Sequence, residues 1–352
     1  MSRIGIAAIA DLVTTARYFE RAVAAAGHDV VVLEDFDNSA VLGNLDCLIV
    51  CDPFLRDPAA LRKVTCPVVG YMIDVHRSLA PRLAYARYLD HVFVAQLEYL
   101  NDFSELPHPS IHWLPLACDR AMHFAALRDR QFEVGFVGKL GDAKSERRTT
   151  LERVLAEFAT NEFERFYDAR EMGEIYSRSK IVFNKSIGGD LNMRFFEGMA
   201  SGALLVTDRI DNGMKQIGQD GEHYVTYRTI DEAIEKIRYY LAHDVEREVI
   251  ASRGQQLVFA QHTYGHRLAA ILSVVEQGAN LYAPVRAAAS STEALWRSEH
   301  MMLNGASVVD VGGLMLEGHL TSHMICNSAV AVARGIVRPL RQAISANMKL
   351  WN

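Results

Sequence analysis

The sequence predicts an α/β protein of two doubly wound, parallel-sheet domains in tandem, facing each other across a cleft and followed by a C-terminal extension. Three observations carry that expectation. Short apolar runs alternate with helical stretches through the first third of the chain, the alternation lapses near residues 119–131, and it then resumes on the same plan. Strands that alternate with helices pair in parallel through crossover helices, and 352 residues are more than one hydrophobic core usually serves.

The elements follow in order. "RIGIAAI" reads as a buried strand, "TARYFERAVAAAGH" as an amphipathic helix ended by Gly27, and "DVVVLED" as a second strand. "LDCLIVCD", "CPVVGYMID" and "HVFVAQ" are further apolar runs bounded by turn or polar residues, and "IHWLPLACD" closes the series. Residues 1–120 are thus expected to form an N-terminal Rossmann-like domain. "RAMHFAALRDRQ" reads as a polar helical connector. The second Rossmann-like domain, residues 131–280, opens on the strand "FEVGFVG" and continues with the helix "SERRTTLERVLAEF" and the strand "KIVFN". A helix around Glu197, the strand "ALLVTD" and the helix "DEAIEKIRYYLAHD" complete the pattern. Residues 281–352 read as a mostly helical extension. Its segment "AVARGIVRPLRQAISANMKLW", with Arg334, Arg338, Arg341 and Lys349, suits either a helix returning to the first domain or a membrane-surface or partner helix.

Composition narrows the functions. A formal net charge of −6 argues against a nucleic-acid-binding surface. The five cysteines, Cys47, Cys51, Cys66, Cys118 and Cys326, are odd in number and lack C-x-x-C or zinc-type spacing, which fits a reducing cytoplasm. The opening segment lacks the flanks of a signal peptide, and no stretch reaches the ~18 apolar residues of a membrane span.

Two loops carry the candidate chemistry. In "FEVGFVGKLGDAKSERR" a strand runs into Gly138, then a loop with Lys139, Gly141 and Lys144, then a helix whose first turns hold Arg147 and Arg148. Glycine admits close backbone approach, a helix start offers unpaired N–H groups, and the cations add charge, so the segment reads as an anion seat. In "SKIVFNKSIGGDLNMRFFEGMASGALLVTD" Gly188 and Gly189 follow a strand, and Asp190 or Asn192 can cap the next helix. The three- and four-residue spacing of 190, 194, 197 and 201 puts Asp190, Arg194, Glu197 and Ser201 on one face of that helix. Glu197 there suits a ribose diol; the alternative is an ordinary Arg194–Glu197 surface pair. In the first domain "DVHR" follows a strand and puts Asp74 and His76 at the cleft edge, while His112, His123, His262 and His266 read as surface or core residues.

The run "FFEGMASGALLVTD", continued by "IGQDGEHYVTYRTIDEAIEKIRYYLAHDVEREVIASRGQQLVFAQHTY", resembles the nucleotide-sugar half of the GT-B glycosyltransferases. "YMIDVHRSLAPRLAYARYLDHVFVAQLEYLNDF" and "IHWLPLACD" are similar to the N-terminal half of the CgeB-like, spore-maturation-protein branch, whose C-terminal domain is family-4-like. The resemblance spans roughly residues 1–275 and implies the GT-B fold. It implies that Glu197 is the second glutamate of an E-x7-E signature and grips the donor ribose. It also implies that Lys139 and Lys144 hold the donor diphosphate, with Arg147 and Arg148 as competing candidates. The first glutamate would fall at Gly189, and the nearest acid is Asp190. A histidine near His76 touches the transferred sugar in similar enzymes.

The resulting expectation is a glycosyltransferase that takes a nucleoside-diphosphate-sugar as donor substrate, with no further cofactor and no metal. Donor binding falls to Gly138, Lys139, Lys144, Arg147, Asn192, Met193, Arg194 and Glu197, and catalysis to His76, Asp74, Lys144 and Asp190. The resemblance implies retention of anomeric configuration, and a glycan, lipid-linked or protein acceptor. A nucleotide-sugar epimerase and a non-catalytic nucleotide-sugar-binding protein are the two alternatives.

Overall fold

A computed structural model describes residues 1–7, 14–33, 39–52, 61, 64–77, 79–86, 88–106, 108–123 and 129–278. The extension at 281–352, with its basic helix and Cys326, lies outside the described residues. The first domain contains β1 (Arg3–Ala7), α1 (Thr14–Ala25), β2 (Asp29–Leu33), α2 (Ser39–Leu42), β3 (Cys47–Cys51), β4 (Val68–Met72), α3 (Leu79–Ala86), β5 (His91–Val94), α4 (Leu100–Ser104) and β6 (Ile111–Trp113). Its strands are all parallel in the order β2-β1-β3-β4-β5-β6, with Ile4 opposite both Val30 and Cys47. Strands β3, β4 and β5 are buried at every position, which is why they read as unbroken apolar runs rather than alternating ones.

The second domain contains β7 (Phe132–Gly135), α5 (Glu146–Leu155), α6 (Ala169–Ser177), β8 (Ser179–Asn184), α7 (Met193–Ala200), β9 (Leu204–Asp208), α8 (Met214–Ile217), β10 (Val225–Tyr227), α9 (Ile230–Ala242), α10 (Asp244–Gln261) and α11 (Tyr264–Gln277). Its four strands are parallel in the order β10-β9-β8-β7. The connector departs from expectation: its described residues, 120–123 and 129–131, form a turn and an irregular stretch and not a helix. Asp119 there accepts main-chain hydrogen bonds from Met122 and His123, and its side chain takes the N–H of Ala121 at 2.8 Å. That is Asx-turn chemistry competing with helix.

The chain crosses between the sheets twice at one place. Cys118 N–H donates to the His262 carbonyl and Tyr264 N–H to the Cys118 carbonyl, both at 3.0 Å. Buried Arg267 fastens the crossing through the carbonyls of Pro115 (2.7 Å) and Leu116 (3.0 Å). Helix α11 then packs on α1, and Tyr264 meets the rings of Tyr18 and Phe19 at 5.1 and 5.2 Å. One buried cluster therefore runs from Ile4, Phe19 and Tyr71 through Tyr264 and Leu268 to Phe196 and Leu205. The two sheets share apolar packing at the crossing, and this fixes where their carboxyl ends face.

Candidate active site at the domain cleft

Two glycine loops leave the carboxyl ends of adjacent strands β7 and β8. Gly138 has φ 143°, and Gly188 and Gly189 have φ 61° and 78°, a region that side chains with a Cβ rarely adopt. Each loop ends in a capped helix. Ser145 accepts from Arg148 N–H at 3.2 Å ahead of α5, and Asn192 accepts from Phe195 N–H at 3.3 Å ahead of α7. Of the two expected candidates, the cap of α7 is thus Asn192, whose amide also donates to Asn184 Oδ1 at 3.1 Å.

Two guanidiniums brace these loops from beneath. Arg147 donates from Nε and Nη2 to the Lys139 carbonyl at 3.2 Å, and from Nη1 to the carbonyls of Lys185 and Ser186. One side chain thus ties both loops together. Arg194 donates to the Val137 carbonyl (2.6 Å from Nη2), to Tyr176 Oη (3.0 Å) and to Asn184 Oδ1 (2.9 Å), and lies 4.4 Å over the Phe136 ring. A Cβ at Gly138 would stand 2.2 Å from Arg194 Nη2, so only glycine lets the loop and the guanidinium share this space. Among the described residues no carboxylate lies within ion-pair distance of either arginine, so the Arg194–Glu197 pair is not formed. Burial, with Arg194 second, pushes Arg147 down to about 10, so it stays a cation at neutral pH. Two positive charges with no carboxylate at ion-pair distance therefore sit under two glycine loops that run into helix N-termini, an arrangement that attracts an anion. Lys139 and Lys144 are exposed on the first loop, while Arg148 turns away to Glu152 (2.7 Å) and Glu164 (3.5 Å).

Glu197, one turn into α7, is 4% exposed and roofed by the first domain. Tyr18 Oη donates to its Oε1 at 3.3 Å, and His123 Nε2 stands 3.8 Å from the same oxygen. Burial pushes the carboxyl up to about 7, against the pull of Arg194 and the Tyr18 hydrogen bond. Burial likewise pushes His123 down to about 4, so the imidazole is neutral and the pair is not an ion pair near pH 7.

Asp74, His76 and Asp190 come together across the cleft, with one ligand atom of each within 4.8 Å of the others. The first two follow β4, where Asp74 adopts φ 49°, and the third follows the glycine turn of the opposite domain. A Cβ on Gly188 would lie 3.8 Å from His76 Cδ2, so the ring sits over that turn. Gln96 holds buried Asp190 through an Nε2–H bond to Oδ1 at 3.1 Å. These donor types could hold a divalent cation; they are equally a set of hydrogen-bonding groups for sugar hydroxyls.

The structure adds residues that the sequence did not mark. Tyr18, His123 and Gln96 reach expected site residues only through the tertiary fold. Glu98 and Asn212 exchange hydrogen bonds across the cleft, each at 3.1 Å, and Trp113 packs against Gly213. Thr15 Oγ1 approaches Met193 Sδ at 3.9 Å.

Residues 120–273 match the sequence model of a family described as glycosyl transferase-like. No curated protein sequence matches the chain. Among solved structures, Anabaena HepE in complex with UDP-glucose superposes with a TM-score of 0.58 at 11% identity, covering 78% of this chain and 100% of that one. Sucrose-phosphate synthase from Thermosynechococcus elongatus gives 0.56 at 11% identity, covering 79% and 99%. A glycosyltransferase from Rickettsia africae gives 0.55 at 10% identity, covering 78% and 98%. At such identities these likenesses establish the fold, which is that of the GT-B proteins, two parallel-sheet domains about a cleft. The second domain, residues 120–273, is thus glycosyl transferase-like, within a chain whose fold is that of the GT-B proteins. Among the described residues no helix is long and apolar enough to cross a membrane.

Proposed function

We propose that the protein moves a sugar from a nucleoside-diphosphate-sugar to an acceptor held mainly by the first domain. The observation that carries this reading is the pair of cations, Arg147 and Arg194, bracing two glycine loops with no carboxylate of the described residues at ion-pair distance. The donor diphosphate sits on those loops, aided by Gly138, Lys139, Lys144 and the N–H groups that follow Asn192 and Met193. Arg147 and Arg194 act there mainly as fixed charges, since their N–H groups are spent on main-chain and side-chain acceptors. Glu197 takes the ribose hydroxyls. As the glycosidic bond breaks, negative charge grows on the leaving diphosphate, and preorganised N–H groups and cations stabilise it in the transition state. No metal ion at the diphosphate is needed for that work.

His76, Asp74 and Asp190 lie where the transferred sugar would rest, with Asp190 in place of the absent first glutamate of the signature. Transfer proceeds with retention, the departing phosphate taking the proton of the acceptor hydroxyl. The donor is admitted by opening of the cleft, because Glu197 is roofed by Tyr18, and closure then excludes water. The branch proposed is the CgeB-like one, and the compartment proposed is the cytoplasm, in keeping with four buried free cysteines among the described residues. The acceptor is a glycan, a lipid-linked sugar or a protein. The test is to incubate the protein with nucleotide sugars and an acceptor panel and to measure nucleoside diphosphate. Acceptor-dependent release is expected. Conversion of the sugar without release would establish an epimerase instead, and tight binding without turnover a binding protein.

A further inference from the structure

The buried contacts of Glu197 form a directed chain. Asp119 N–H donates to His123 Nδ1 at 3.2 Å, which leaves the proton of the neutral imidazole on Nε2. That Nε2 stands 3.3 Å from Tyr18 Oη, and Tyr18 in turn donates to Glu197 Oε1 at 3.3 Å. The polarity is set at one end by a main-chain amide, which can only donate. Tyr18 and His123 are both buried, at 2% and 0% exposure, and their rings meet edge to face at 5.6 Å. Tyr264 packs on the other side of Tyr18, so the hydroxyl cannot swing away while the domains stay together. The chain starts in the inter-domain connector, passes through α1 of the first domain and ends on α7 of the second.

We propose that Tyr18, oriented by His123, is a positioning residue for Glu197, so that the ribose clamp of the second domain is completed by the first. The Tyr18 hydroxyl occupies Oε1 and leaves Oε2 for a vicinal diol. Opening of the cleft breaks the chain between Tyr18 and Glu197, and nucleotide affinity thereby depends on domain position. This rests on Glu197 being the ribose clamp, and the test separates the two ideas.

The experiment measures binding of UDP and of its 2′,3′-dideoxy analogue by calorimetry to wild type, Tyr18→Phe and Glu197→Ala. In wild type the analogue should bind more weakly than UDP. Tyr18→Phe removes one oxygen from a ring that stays buried; it should weaken UDP about three- to ten-fold, and bring UDP and analogue closer by the same factor, because a hydrogen bond to a charged group is lost. A merely structural role would weaken both ligands equally. His123→Leu should act in the same direction, and His123→Gln, which keeps a donor, should restore discrimination; this pair also serves if Tyr18→Phe folds poorly. If Glu197→Ala abolishes discrimination while Tyr18→Phe and His123→Leu keep it, the positioning role falls and the ribose clamp stands. If Glu197→Ala keeps it too, the clamp itself falls, and the positioning role with it.

Discussion

Glu197 carries two pH dependences of opposite sign. Its folded pKa is raised by burial to about 7 from an ordinary carboxyl value, with Tyr18, His123, Arg194, Tyr176, Cys118 and Tyr264 as the groups around it. Between about pH 4.5 and 7 the folded protein therefore holds a proton that the unfolded chain has released. Stability from this group is present below that window and falls as pH rises through it, by at most about 3 kcal/mol. Binding runs the other way, since only the carboxylate accepts both ribose hydroxyls. Urea unfolding at pH 5 and pH 8 checks the first sign, and Glu197→Gln should flatten the slope. Nucleotide titration over the same range checks the second, with affinity expected to climb towards pH 8. Arg194 gives a further expectation at this scale. Lysine cannot span Val137, Tyr176 and Asn184 at once, so Arg194→Lys should cost about 1–3 kcal/mol and lower turnover as well.

The glycine loops make a paired expectation for elements. Gly138→Ala combines φ 143° with a 2.2 Å clash against Arg194, so the loop or the guanidinium must move, and donor affinity should fall at least ten-fold. Gly189→Ala has φ 78° but nothing within 4 Å, so it should cost only about 1 kcal/mol of strain. Equal effects of the two on binding, with thermal unfolding as the control, would dissociate the first loop from the donor seat. The loops also show what was legible in the sequence. Strand, glycine, polar cap and helix stand consecutively in both segments, so local rules found Gly138 and the start of α5 and narrowed the cap of α7 to Asp190 or Asn192, of which Asn192 takes the role. The orientation of Arg147 was not legible, because carbonyls at Lys185 and Ser186 come beside it only when β7 and β8 pair. Tyr18 is a similar case: on α1 it reads as one more apolar-face aromatic, and its partner lies 179 residues away. Helix α6 also escaped the reading, since its capping box at Asp168 and Glu171 follows a polar loop rather than an apolar run.

At the scale of the whole molecule, the domains are joined at the crossing and latched at the cleft. The fold class was readable from alternation alone, whereas the return of α11 onto α1 was not, because a helix at the end of one domain carries no mark of which sheet it will cover. The reciprocal Glu98–Asn212 bonds and the Gln96–Asp190 bond are available only when the cleft is closed. Asn212→Ala should therefore speed nucleotide release several-fold in stopped-flow experiments while leaving thermal stability within about 2 kcal/mol, since both bonds are lost and each contributes about 1 kcal/mol. An unchanged release rate would mean that the latch has no part in retaining the donor.

The claim on which the rest depends is that the two braced loops and Glu197 together seat a nucleoside diphosphate. Thermal unfolding of wild type and Glu197→Ala against UDP, GDP, TDP, CDP and ADP, each free and sugar-linked, tests it most directly. A ligand at 100 times its dissociation constant adds about 2.7 kcal/mol to the folded state, enough to raise the midpoint by several degrees. One nucleotide should stand out with wild type and lose most of its effect with Glu197→Ala. No shift from any nucleotide, or an equal shift in both proteins, would contradict it.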